Sequence, residues 1–311
     1  MEEPQVDSPG DGAVGSRVQV GIVGLGRMGM TIAKRLCSLG VPVRGWNRTL
    51  HRGRELTGAG GVLVDSPADV AASVDLLLCA VSGPRDVEEV LLGPNGVYQS
   101  ARPGLTVVDL STIDPQTSSA VAAALARNGI AMLDAPLSGS VHDAERGTLG
   151  LLVGGDPAVL ARVQPTLQHV GCHVYYFGSN GAGCAAKLAL NLLLGAMIES
   201  LAEALAYLQA NQLPTARFLE AVSTSGLSSP MFERTGKRAL ARDFAPRFAL
   251  RHLHKDLSIL AAQAERFSGE PRLASILVEL VSRDVDVLGD SDYSVLIAAR
   301  RPEEVNHAGA H

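Results

Sequence analysis

The sequence predicts an α/β protein: a doubly wound, mostly parallel sheet in the N-terminal half, then an all-α half, the two joined by one long interdomain helix. Three observations predict it. Short apolar, β-rich runs alternate with helix-patterned segments up to about residue 178. A glycine-rich turn separates the first such run from the first helix. Beyond residue 184 the β-branched runs give way to alanine- and leucine-rich helical patterns.

Taken in order, residues 17–23 (RVQVGIV) form the first strand, and residues 28–39 have helical spacing that stops at Gly40. Residues 41–46, 76–81 (LLLCAV), 106–110 (TVVDL) and 131–134 (AMLD) supply further strands. Alternation of this kind implies a parallel sheet covered by helices on both faces. At Gly178 a glycine-rich patch (GSNGAG) leads into residues 184–211, one helix of roughly 40 Å at 1.5 Å per residue, a length that suits an interdomain backbone. Residues 214–223, 230–242, 252–264 and 270–287 continue with helical patterns only. The expected organisation is a disordered leader (1–16), a sheet domain (17–178), a helical domain (179–300) and a tail (301–311).

Composition narrows the function classes. The chain has 311 residues, 46% hydrophobic and 19% charged, enough apolar mass for two cores. A net charge of -5 offers no wide positive surface, so nucleic acid is not expected as a partner. Cys37, Cys79, Cys172 and Cys184 are widely spaced and match no zinc or redox pattern; reduced, buried thiols are expected. His51, His142, His173, His252 and His254 show no metal-ligand spacing, so no metal is expected. The longest apolar stretch, residues 188–198, is interrupted by Asn191 and falls short of the roughly 20 residues that span a bilayer, so neither a transmembrane helix nor a membrane partner is expected. The acidic, Gly- and Pro-containing start lacks the basic flank and apolar run of a secretory signal, and a cytoplasmic compartment is the expectation.

The glycine turn reads Gly24-Leu25-Gly26-Arg27-Met28-Gly29, placed between a strand and a helix as a dinucleotide-binding turn requires. Gly24 permits the tight turn, Gly26 lets a pyrophosphate approach, Gly29 lets helix and strand pack, and the helix N-terminus attracts the phosphates. Roughly 20 residues on, where an NAD site places a carboxylate on the ribose hydroxyls, the second strand ends in Asn47-Arg48-Thr49. Donors and a fixed cation suit a 2′-phosphate, so NADP is the favoured cofactor. The other reading of Arg48 is an ordinary solvated arginine; Arg52 and Arg54 add to the same patch. Val81-Ser82-Gly83-Pro84 and Ser111-Thr112-Ile113-Asp114-Pro115 follow later strands, where loops of doubly wound sheets meet the cofactor, although a turn and a helix N-cap explain them equally.

For chemistry, residues 134–155 (DAPLSGSVHDAERGTLGLLVGG) open with a strand end and a turn in which Ser138, Gly139 and Ser140 can aim hydroxyl and N–H groups at an anion; by composition the turn is equally a surface loop. Lys187 and Asn191 stand one helical turn apart in an apolar helix and share a face. A lysine there is a candidate proton donor or, alternatively, a snorkelling side chain.

Together the glycine turn, DAPLSGS with the later GTL and VGG, the GAGCAAKLALN segment and His254-Lys255-Asp256-Leu257 resemble the β-hydroxyacid dehydrogenase family, across nearly the whole chain. That family includes hydroxyisobutyrate dehydrogenases and glyoxylate, succinic semialdehyde and tartronate semialdehyde reductases. The resemblance implies a Rossmann domain followed by a helical domain, with a substrate cleft between them and a dimer or tetramer as the assembly. It implies that Lys187 is the proton donor and that Asn191 orients it. It further implies that Thr112, Ser138, Gly139 and Ser140 hold a substrate carboxylate, with Lys255 near substrate or nicotinamide. Two departures bear on substrate identity: Ser140 stands where the family turn has glycine, and Leu190 stands where a second asparagine is common. Imine reductases share the architecture but commonly lack the lysine. An imine or other carbonyl reductase, which the substrate-side departures leave open and Lys187 argues against, and a non-catalytic dinucleotide-binding scaffold, against which Lys187, Asn191 and Lys255 together count, are the competing readings.

Overall fold

The computed structural model describes residues 18–263, 266 and 271–300, so the proposed leader and tail lie outside the described residues. The strands β1 (Val20–Val23), β2 (Val43–Trp46), β3 (Val62–Leu63), β4 (Leu76–Cys79), β5 (Thr106–Asp109) and β6 (Ala131–Asp134) run parallel in the order β3-β2-β1-β4-β5-β6. Beyond β6 the sheet continues with β7 (Leu137–Ser138), β8 (Gly150–Gly154) and β9 (His173–Gly178). β8 pairs antiparallel with both β6 and β7 and parallel with β9. The four strands β3, β7, β8 and β9 are absent from the sequence reading. β8 lies inside residues 134–155, which read as a turn, while β9 is mostly exposed and shows no buried alternation to read.

Helices α1 (Arg27–Ser38), α2 (Arg54–Gly58), α3 (Pro67–Ala71), α4 (Pro84–Leu92), α5 (Pro115–Ala126), α6 (Val141–Arg146) and α7 (Pro157–Leu167) connect the strands. β4 is continuously apolar because both of its faces are covered. Leu76 and Leu78 pack on Ile32 and Leu36 of α1, and Leu77 and Cys79 pack on the other side with Val87 of α4 and Val121 of α5. That period-two division of a single strand is the physical content of a doubly wound sheet.

After β9 the chain enters α8 (Ala182–Ala210), then α9 (Thr215–Ser223), α10 (Pro230–Leu240), α11 (Leu250–Ala261), α12 (Arg272–Leu288) and α13 (Leu296–Ala299). Ile198, Leu201 and Leu205 of α8 pack with Leu253 and Leu257 of α11 and with Leu277 and Val281 of α12. At 29 residues α8 has the length and apolar composition of a bilayer span, which the shorter stretch 188–198 did not suggest. Its surroundings account for that composition. Its N-terminus packs on β8, its middle on α11 and α12, and its buried Glu199 accepts two hydrogen bonds from Arg300, at 2.8 and 3.1 Å. Arg300 also meets Asp284 of α12 at 2.5 Å, so one guanidinium is shared by two carboxyl groups inside the helical half.

All four cysteines are free; Cys79 and Cys184 are buried, Cys37 is half-buried and Cys172 is exposed. The expectation of buried thiols is therefore corrected at Cys172, which lies in the exposed turn that leads into β9.

Candidate active site

The glycine turn is built by close approach. Gly24 has φ 95°, a left-handed conformation that side chains resist, and a Cβ at Gly29 would run into the carbonyl oxygen of Gly24. Leu25 donates its N–H to Asn47 Oδ1 at 3.0 Å, and Asn47 Nδ2 donates to the Thr49 carbonyl at 2.9 Å. Asn47 thus ties the turn to the end of β2, a bracing task that the sequence reading did not assign to it.

Gly24, Gly26, Asn47, Arg48, Thr49, Val81 and Ser82 line one cleft of 160 Å³ at the carboxyl edge of the sheet. Leu25 and Gly29 are buried beneath it, Met28 packs on the core, and Arg27 opens α1 from an exposed position. Trp46, Arg52, Asp86 and Glu89 line the same cleft. The acids went unread, although Asp86 and Glu89 stand one helical turn apart just after the Val81–Pro84 turn. Arg48 Nη1 pairs with Asp86 Oδ1 at 2.9 Å.

A dinucleotide fits these residues. A Cβ on Gly26 would meet no atom within 4 Å, so the backbone there is open to a ligand, and α1 begins without an acidic residue in its first turn. Under the cleft, Val81 donates its N–H to Ser111 Oγ and Ser111 donates its own to the buried Asp109, each at 3.0 Å. Burial pushes the Asp109 carboxyl up to about 7.

Lys187 lies on the second turn of α8. The start of that helix is fixed by Asp134, at the end of β6, whose buried carboxylate accepts the N–H groups of Gly181 at 2.7 Å and Cys184 at 3.0 Å. The Lys187 ammonium sits over the Phe248 ring, 5.9 Å from its centroid. Burial lowers its pKa; the Asp256 carboxylate raises it and Lys255 lowers it further. Asn191 donates to Asp256 Oδ2 at 2.6 Å, and Lys255 lies 2.7 Å from the other Asp256 oxygen. Lys255 also donates to the Thr112 carbonyl at 2.6 Å and lies against Gly83, so it bridges helical domain, cofactor loop and sheet edge.

Thr112, Lys187, Asn191 and Lys255 therefore form one group, with Asp256 at its centre and Phe248 as a wall. The Ser138–Ser140 turn is held by other partners. Gly139 has φ 134°, and Ser140 caps α6: its hydroxyl accepts the Asp143 N–H at 3.4 Å and donates to Asp143 Oδ2 at 2.7 Å, while Asp143 Oδ2 also accepts the Ser140 N–H at 2.8 Å. The side chain that departs from the family turn is engaged in a capping box.

Residues 19–178 match the family model for the NAD binding domain of 6-phosphogluconate dehydrogenase. Residues 181–299 match the model for the NAD-binding domain of NADP-dependent 3-hydroxyisobutyrate dehydrogenase. Glyoxylate/succinic semialdehyde reductase 2 of Arabidopsis thaliana is 31% identical over 293 residues, spanning 94% of this chain and 82% of that protein. The chain belongs to the β-hydroxyacid dehydrogenase family. Another relative, 2-(hydroxymethyl)glutarate dehydrogenase of Eubacterium barkeri, is 34% identical over 82% of this chain and 84% of its own length. The crystal structure of 3-hydroxyisobutyrate dehydrogenase from Salmonella typhimurium superposes with a TM-score of 0.80 at 31% identity, covering 91% of this chain and 99% of that one.

For a β-hydroxyacid dehydrogenase, the two matched models and these relatives support an NAD(P)-dependent oxidoreductase acting on a small hydroxyacid. The polar group around Asp256 adjoins the loops of the dinucleotide cleft through Lys255, which lies against Gly83 and donates to the Thr112 carbonyl. Sequence spacing pointed to Lys187 and Asn191. Asp256 entered only as part of a motif and Phe248 did not enter at all, because each lies far along the chain from the lysine it surrounds.

Proposed function

We propose that this chain moves a hydride between NADPH and the aldehyde carbon, or the corresponding alcohol carbon, of a small carboxylate-bearing substrate, with Lys187 as proton donor and acceptor. The observation that carries the reading is the buried ammonium of Lys187 grouped with Asp256, Asn191 and Lys255, the last of which reaches the Thr112 carbonyl and lies against Gly83 beside the cofactor loops. The bound nicotinamide supplies the hydride in reduction and takes it back in oxidation. As negative charge builds on the carbonyl oxygen, the Lys187 ammonium stabilises it and then gives up a proton. Burial has already weakened that ammonium, which makes the neutral amine accessible for the reverse direction. Asn191 acts through Asp256 and sets the lysine's surroundings. Thr112, Ser138, Gly139 and Ser140 are assigned to the substrate carboxylate, and Arg48 with Thr49 to the 2′-phosphate. A homodimer or homotetramer is proposed from the outward apolar residues of α8, Leu190 and Leu193, the latter 61% exposed.

The test is NADPH consumption by the native chain against glyoxylate, succinic semialdehyde, tartronate semialdehyde and a cyclic imine. Turnover of at least one aldehyde acid, with the imine inert, is the expected result; turnover of the imine alone would sink the reading.

Asp256 provides a second check with a defined sign. Its carboxylate holds the Lys187 pKa up against burial, so Asp256→Asn lowers that pKa further. In the oxidation direction the rate rises with pH as Lys187 loses its proton. The midpoint of that rise should therefore move to lower pH. A midpoint that stays put or moves upward removes Asp256 from this role.

A further inference from the structure

We propose that Asp86 sets the cofactor preference of this chain: it neutralises Arg48 and fixes a negative charge on the wall that would receive a 2′-phosphate, so discrimination for NADPH over NADH is held small. The inference rests on the reading that Arg48 marks the adenosine end of the dinucleotide site.

Asp86 sits in the first turn of α4, where the helix N-terminus favours a carboxylate. Its side chain is 27% exposed, whereas that of Arg48 is 71% exposed, so the acid is the fixed member of the pair and the arginine the mobile one. Glu89, one turn further along α4, lines the same cleft, and Arg52 is the second cation there. Two cations thus face two carboxylates across a wall for which a phosphate dianion needs surplus positive charge.

A carboxylate in an ion pair with Arg48 stands close to any phosphate that Arg48 binds, and that repulsion falls on NADPH alone. NADH carries no charge at that position and meets a neutral wall at no cost. The opposing effect, in which Asp86 helps by orienting Arg48, is small, because fixing an exposed arginine is worth at most a few-fold. Repulsion of a dianion at such a distance, even under water-like screening, is worth about five- to ten-fold in affinity. The balance is therefore against NADPH.

The experiment is cofactor binding without substrate. Trp46, the chain's one tryptophan, lines the cleft, and quenching of its emission reports the dissociation constants of NADPH and NADH. These are measured at low ionic strength for the native chain, Asp86→Asn and Arg48→Ala. Asp86→Asn should tighten NADPH about five- to ten-fold and leave NADH within about two-fold, with the gain shrinking in about 0.5 M salt. Weaker NADPH binding, or equal changes for both cofactors, overturns the proposal. Arg48→Ala tests the reading beneath it: selective loss of NADPH affinity upholds the placement of the 2′-phosphate. If Arg48→Ala leaves both constants unchanged, that placement fails and the role of Asp86 fails with it. If Arg48→Ala weakens NADPH while Asp86→Asn does not tighten it, only the role of Asp86 fails.

Discussion

Replacing Lys187 with alanine is expected to lower kcat for aldehyde reduction by about a thousand-fold or more, while NADPH affinity stays within about two-fold. General acid catalysis alone is worth about 10² to 10⁴ in rate, and loss of a cation facing the developing oxyanion adds to the deficit. Folding should not obscure the result. The ammonium carries a desolvation burden in the native state, so its removal leaves the unfolding midpoint unchanged or raised. Lys187→Arg refines the point, because a guanidinium keeps the charge and cannot release its proton near neutral pH. It should recover little of the oxidation rate. Steady-state kinetics in both directions, with denaturant melts alongside, check the whole set; retention of more than about a tenth of native kcat in Lys187→Ala would exclude proton transfer by this residue.

The second large effect is expected at Asp134. Its carboxylate is fully buried and accepts two backbone N–H groups at the start of α8, joining the end of β6 to the helix that carries the lysine. Asp134→Ala leaves two buried donors unpaired, and hydrogen bonds to a charged group contribute about 1.5 to 3 kcal/mol each. A loss of about 3 kcal/mol or more in unfolding free energy should follow, read from the denaturant midpoint. Asp134→Asn keeps one acceptor oxygen but turns an amide N–H toward the other donor, so it should recover roughly half of that loss. An unchanged midpoint in Asp134→Ala would show that α8 does not depend on this cap.

Legibility in the sequence followed distance along the chain. β4 could be read because burial on both faces leaves an unbroken apolar run, β5 because its Thr-Val-Val start is β-branched, and the glycine turn because its parts are contiguous. Lys187 and Asn191 could be paired because one helical turn separates them. Their relation to Asp256 could not, since Asn191 reaches it across 65 residues, and Asp134 and Asp86 likewise act on groups 47 and 38 residues away. Asn47 shows a different limit. An amide offers both donor and acceptor, and its place at the end of β2 suited a ribose phosphate; the structure uses its oxygen to brace the glycine turn and its nitrogen to hold the Thr49 carbonyl. β9 escaped notice because Tyr175, Tyr176 and Phe177 are all about half exposed, leaving no inside-outside rhythm to detect.

The cap at the start of α8 also has a mechanical meaning. With a rise of about 1.5 Å per residue, Lys187 lies about 5 Å along the axis from the Cys184 amide that Asp134 grips, while the end of the helix lies about 39 Å away. The helix is a lever clamped near its short arm. A tilt of about 5° about that fulcrum displaces the lysine backbone by only about 0.4 Å and the far end by about 3.4 Å. Any such tilt would be felt least at the acid, which the cap holds in register with the sheet edge.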